Sequence, residues 1–110
     1  TMANTFKNGA NNGLPSSYSD IMACPNNTGD TCVVLSLMFT NVGTNGQEFS
    51  CTINDSSNNV VVQLAEGMSI TAESALELCP NKFILTQGQK IRASANSTNV
   101  KCFASYMEST

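Results

Sequence analysis

Apolar residues in this chain recur with a period close to two, and clusters of Gly, Asn, Asp and Ser break the alternation at short intervals. Side chains that alternate in polarity sort onto the two faces of an extended strand, so such a chain folds as an antiparallel all-β domain. Thr31 to Asn41 is the strongest strand. Its alternation puts Val33, Leu35, Leu37 and Phe39 on one face and Cys32, Val34, Ser36, Met38 and Thr40 on the other. Glu48 to Asn54 follows the same rule, with Phe49, Cys51 and Ile53 opposed to Ser50, Thr52 and Asn54, which predicts a water-facing side.

Further strands are expected at Tyr18 to Cys24, at Val60 to Ala65 in a hairpin with the preceding strand, and at three brief apolar stretches. These are Met68 to Ile70, Ala75 to Leu78 and Phe83 to Leu85. The stretch Ala72 to Leu78 has a helix-friendly composition but is too short to stand as a helix without caps and packing. Lys90 to Ala95 turns Ile91, Ala93 and Ala95 inward; Val100 to Met107, reached through Asn96 to Asn99, does the same with Val100, Cys102, Ala104 and Tyr106. About eight short strands, punctuated every ~10 residues, imply a single antiparallel β-sandwich, jelly-roll-like in form. The 110 residues hold one core. The Asn- and Gly-rich residues 1–17 read as an extended N-terminal arm and 18–110 as the sandwich domain. Removal through Leu14 is expected to leave that sandwich folded.

Charge excludes several functions. Five basic residues against eight acids give a net charge of -3, too little positive charge to grip a phosphate backbone, so no nucleic-acid partner is expected. Lys82, Lys90, Arg92 and Lys101 fall in the C-terminal third and form either a local basic patch or a scattered strand exterior. With no histidine, the Ser-His and Cys-His pairs of nucleophilic catalysis cannot be built. The carboxylates sit mainly in turns and at strand ends, which favours no enzyme over a two-acid glycosidase. The oxygen-rich loops Pro25 to Asp30 and Asp55 to Asn59 carry one acid each at their ends, which favours hairpin turns over calcium sites, and neither a metal nor a cofactor is expected. No apolar run approaches the ~18 residues of a membrane span, and Thr1 to Gly13 lacks the apolar core of a signal peptide, so no membrane partner is expected.

Five cysteines, an odd count, leave at least one thiol unpaired within the chain. Cys24 and Cys32 flank a turn-rich segment and could close a hairpin; Cys51 and Cys102 lie on the apolar sides of their strands and could also bridge. Buried free thiols are the alternative for all of them.

On the final strand Phe103 and Met107 point away from the inward set, so a partner surface or second subunit is expected to cover them. The order of segments then resembles a family of small virion structural proteins of tailed bacteriophages, marine phages and cyanophages among them. The likeness rests on Met2-Ala3-Asn4-Thr5-Phe6-Lys7-Asn8, on Val33 to Asn41, and on Ser74 to Leu78, Lys82 to Leu85, Gly88 to Ala95 and Val100 to Glu108. It implies a β-sandwich that acts as a capsid decoration, or cement, protein on the outer surface of the virion. Its partners would be the major capsid protein and neighbouring copies of itself, as a homo-oligomer such as a trimer. Phe6, Leu14, Phe103 and Met107 are the interface candidates. A tail, neck or fibre-associated component is the alternative on the same fold. A carbohydrate-binding module, stacking sugars on Tyr18 or Tyr106, is the alternative from another class. Relatives with this pattern are cysteine-poor, so the five cysteines here depart from it and imply cross-linking after assembly.

Overall fold

The structure, a computed structural model, describes residues 3–110. Those residues form nine strands and no helix: β1 (Asn4–Asn11), β2 (Ser19–Ala23), β3 (Thr31–Asn41), β4 (Gln47–Asn54), β5 (Val60–Ile70), β6 (Ser74–Glu77), β7 (Phe83–Thr86), β8 (Lys90–Ala95) and β9 (Val100–Ser109). One sheet has the order β1-β9-β3-β6, with β7 also paired to β3; the other has the order β2-β8-β4-β5. All pairings are antiparallel.

The sheets pack face to face in a sandwich-like arrangement, with a core drawn from both. Phe39 of β3 stacks on Phe49 of β4 at 4.1 Å between ring centroids, a contact worth about 0.5–1.5 kcal/mol beyond the area it buries. Ile91 and Ala93 of β8, and Val100, Cys102, Ala104 and Tyr106 of β9, fill the space around that pair as the alternation predicts. Polar groups close the ends. Asn41 donates to the carbonyls of Asn45 and Ile70 and accepts from the Gly43 amide, which fixes the β3–β4 turn. Asp55 Oδ1 accepts the amides of Ser57 and Asn59 in the β4–β5 turn, and Asp30 Oδ2 accepts the Asn27 amide. The acids of both oxygen-rich loops are thus engaged as turn acceptors.

Four expectations are corrected. First, β3 does not keep one face throughout: Cys32, Val34, Leu37 and Phe39 are buried, whereas Val33 and Leu35 turn outward. The register against β9 shifts between Val34 and Ser36, and a bulge inserts one residue and so exchanges the faces on either side of it. Second, residues 3–17 are not a free arm. β1 pairs with β9 over eight residues, the backbones of Ala3 and Thr110 exchange hydrogen bonds, and Pro15 accepts from the Ala95 amide. Thr1 and Met2, where the expected arm and the family-like opening begin, lie outside the described residues. Third, β8 and β9, which the sequence joins through Asn96 to Asn99 as a pair, belong to different sheets, so that connection crosses from one sheet to the other. Fourth, Thr52 and Asn54 are buried despite facing away from the core, because Thr52 donates to Asn54 and Asn54 to Asn58.

Gly9 explains how an Asn- and Gly-rich segment came to be a strand. A Cβ there would lie 2.1 Å from the Ile21 carbonyl oxygen, so only glycine lets β1 pass this close to β2 at the corner between the sheets.

Candidate functional site

The outer face of the five-stranded sheet carries the molecule's most organised apolar surface. Cross-strand partners in register put their side chains on the same face. One row runs Phe6 of β1, Met107 of β9, Val33 of β3 and Ile84 of β7, each paired with the next. A second row runs Ala10, Phe103 and Met38, ending at Glu77 of β6. Phe6 is 74% exposed, Ile84 65% and Phe103 45%. Asn8, Ser105 and Ser36 lie between the rows.

Two shallow hollows indent this face. One of about 180 Å³ is bounded by Ala10, Met38, Phe103 and Lys101; another of about 210 Å³ by Phe6, Leu35, Ser105 and Tyr106. Both are below the ~300 Å³ at which pockets begin to enclose drug-sized ligands. They suit single side chains of a protein partner. At the margin, Lys7 donates to Glu108 at 3.0 Å, and this hydrogen bond and the carboxylate's charge raise the Lys7 pKa. Lys101 donates to the carbonyls of Asn12 and Thr98.

The sheet behind this face is held together at a gap in its ladder. β6 pairs with β3 over Met38 to Asn41 and β7 over Thr31 to Val34, which leaves Leu35 to Leu37 between them. Glu77 fills the gap: its carboxylate accepts from Ser36 Oγ at 2.5 Å, from the Leu37 amide at 2.6 Å and from the Cys79 amide at 3.0 Å. Burial pushes the Glu77 pKa up, but these three donors outweigh it and hold the carboxyl below its ordinary value. The Cys79 thiol shares its proton between the carbonyls of Val34 at 3.4 Å and Asn81 at 3.1 Å.

Of the four interface candidates, the structure brings Phe6, Phe103 and Met107 together on this face. It removes Leu14, which is 0% exposed and donates its amide to the Val100 carbonyl. The reason is local: Asn11 Oδ1 accepts the Gly13 amide and turns the chain inward after β1. Val33 and Ile84 were not among the candidates. Ile84 belongs to an apolar run too short to show a face, and Val33 changes sides only through the bulge.

All five cysteines are buried free thiols. Burial raises the pKa of each, that of Cys51 to about 12 and, with a hydrogen bond from Cys24, that of Cys32 to about 12. They are protonated near neutrality and pack as small apolar groups. The basic residues form no common patch: Lys90 and Arg92 both pair with Asp20, at 3.7 and 2.7 Å, while Lys101 lies in the other sheet. Tyr106 is buried, and the half-buried Tyr18 hydroxyl accepts from Gln63, so Tyr106 offers no ring on which a sugar could stack. Among the described residues no group of three His, Cys, Asp or Glu converges as a metal site, and no helix is long and apolar enough to cross a membrane.

Compared with known proteins, the chain matches no family model and no curated protein.

Proposed function

We propose that this chain is a structural virion protein of a tailed phage, a capsid decoration protein that lies with its five-stranded sheet against the outer surface of the shell. The observation that carries the reading is the pair of apolar rows, one from Phe6 to Ile84 and one from Ala10 to Met38, on a single sheet face. Solvent alone gives no reason to hold Phe6, Ile84 and Phe103 in one plane. A protein surface that buries them does, at roughly 1.5–3 kcal/mol for each large side chain taken out of water. Many copies on one lattice multiply a modest single contact.

Topology adds support. We read the strand orders β1-β9-β3-β6, with β7 beside β6 on β3, and β2-β8-β4-β5 as those of a jelly roll whose sixth position is split into β6 and β7. That architecture recurs in viral capsid domains and also in lectins and cupins, so it supports the reading only together with the face. The chain on this reading does no catalysis and needs no cofactor. Its low charge, 12% of residues, suits dense packing of neutral surfaces.

The test is to mix the purified chain with expanded shells that lack it and image the mixture by cryo-electron microscopy. Regular density over the shell, with the five-stranded sheet inward, is the expected result. Bare shells, with the chain found on the tails or necks of whole virions, would assign it to the tail or neck instead. Density over the shell with the four-stranded sheet inward would keep the role and refute the face.

A further inference from the structure

Cys24 follows β2 of the four-stranded sheet, and Cys32 is the second residue of β3 in the five-stranded sheet. The segment between them folds back through the Asp30 to Asn27 contact. Three observations bring the two thiols to the same corner of the core. The Cys24 amide donates to the Gln89 carbonyl, which fixes the backbone of Cys24 against the β7–β8 turn. The Cys24 thiol points at the Leu85 carbonyl at 4.0 Å, and Leu85 is the ladder partner of Cys32. Each of the two thiols also shifts the other's ionisation.

The other thiols are arranged differently. Cys79 is turned toward the carbonyls of Val34 and Asn81. Cys51 and Cys102 sit on opposite sheets beside the Phe39–Phe49 stack.

We propose that Cys24 and Cys32 are a redox modification site, forming an intrachain disulfide that staples one sheet to the other while Cys51, Cys79 and Cys102 stay as thiols. The oxidant is a small-molecule disulfide such as oxidised glutathione. One protein sulfur, as thiolate, attacks a glutathione sulfur, releases one glutathione thiolate and forms a mixed disulfide. The second protein sulfur then displaces the other glutathione. Two protein thiols lose two electrons and two protons; one glutathione disulfide becomes two glutathione thiols. The bond would tie β2 to β3 at the end of the sandwich where Gly88 donates to the Pro25 carbonyl. This inference stands on the Cys24 contact with Leu85 and the Cys32–Leu85 register, and does not rest on the virion reading.

The experiment refolds the full chain in a glutathione redox buffer, then denatures it in an alkylating agent and counts labels by intact mass. Chain refolded under reduction should take up label on all five thiols. Chain refolded under oxidation should carry two fewer. Digestion before Asp30 and after Phe39 should then leave the peptide of Cys24 joined to that of Cys32. The oxidised form should melt higher by about 5 °C or more, as expected for a short closed loop. Cys24→Ala should abolish both the label loss and the shift, and Cys51→Ala should abolish neither. Five labels after oxidative refolding, or a linked peptide that joins Cys51 to Cys102 instead, would overturn the proposal. Because the peptide map is made on the wild-type chain, a variant that fails to fold does not spare it.

Discussion

The outer faces of the two sheets are built on the same plan and differ in chemistry at their centres, the exposed large apolar side chains of the four-stranded sheet being confined to its edge strand β5, at Val60, Val61, Val62 and Met68. Across the four-stranded sheet one row in register runs Asp20, Arg92, Thr52 and Gln63. Asp20 accepts from Arg92 at 2.7 Å, Thr52 donates to Asn54, and Gln63 donates to the Tyr18 hydroxyl and the Ala65 carbonyl. That row satisfies itself. Across the five-stranded sheet the row is Phe6, Met107, Val33 and Ile84, and nothing among the described residues covers it. A sheet needs one face for its own core, and the chain shows on the four-stranded side how the other face is made soluble. The contrast therefore supports the proposed attachment face more directly than the count of exposed apolar side chains would.

The most severe test of this comparison removes part of the apolar face together with its support. Deletion of residues 3–14 strips β1 from β9 and takes Leu14 from the core, so the chain should lose its cooperative unfolding transition by circular dichroism. Leu14→Ala alone should cost about 2–5 kcal/mol in denaturant unfolding. A truncated chain with wild-type stability would restore the free arm and detach Phe6 from the face.

The next effect separates binding from stability. Phe103→Asp should weaken attachment to the proposed shell by about 100-fold, as for the loss of a central interface anchor, while changing unfolding by less than ~1 kcal/mol, since the side chain is half in water already. Arg92→Ala on the opposite face should cost under about 1 kcal/mol of stability and nothing in attachment. Gly9→Ala comes third. Its Cβ meets a backbone oxygen that cannot rotate away, so about 1–3 kcal/mol should be lost, and the loss sharpens the claim that β1 is an integral strand.

Glu77→Gln should give the smallest change, about 1 kcal/mol, by weakening its hold on the Ser36, Leu37 and Cys79 donors. The sign with pH follows from the lowered pKa of Glu77. Its contribution is present above the ordinary carboxylate range and is lost as pH falls through the folded-state pKa. The gap between wild type and Glu77→Gln should therefore close in acid; a gap that widened there would contradict the role of the carboxylate.

The sequence announces the inner faces of β8 and β9 because their alternation is unbroken from Ile91 to Ala95 and from Val100 to Tyr106. Phe103 and Met107 follow as the complement of that set. On β3 the same reasoning fails halfway. The bulge near Leu35 leaves no mark in a run that is apolar on both faces, so Val33 and Leu35 are assigned to the wrong side. β1 is missed for a different reason: it holds its place by backbone pairing and by the missing side chain of Gly9, neither of which makes a hydrophobic pattern. Leu14 stands alone between Gly13 and Pro15, and no periodicity can assign a single apolar residue to a core. The work of Glu77 and Cys79 depends on a ladder gap that exists only once β6 and β7 share an edge of β3. That two strands adjacent in sequence, β8 and β9, enter opposite sheets is likewise a property of the whole assembly and not of either strand.

The central claim is that the apolar sheet face is the surface by which this chain attaches. Its most direct test is co-sedimentation of wild-type chain, Phe103→Asp and Arg92→Ala with shells that lack the chain, each protein first shown to be folded. The account predicts that wild type and Arg92→Ala saturate the shells alike while Phe103→Asp stays in the supernatant. Equal binding by Phe103→Asp, or loss of binding by Arg92→Ala alone, would contradict it.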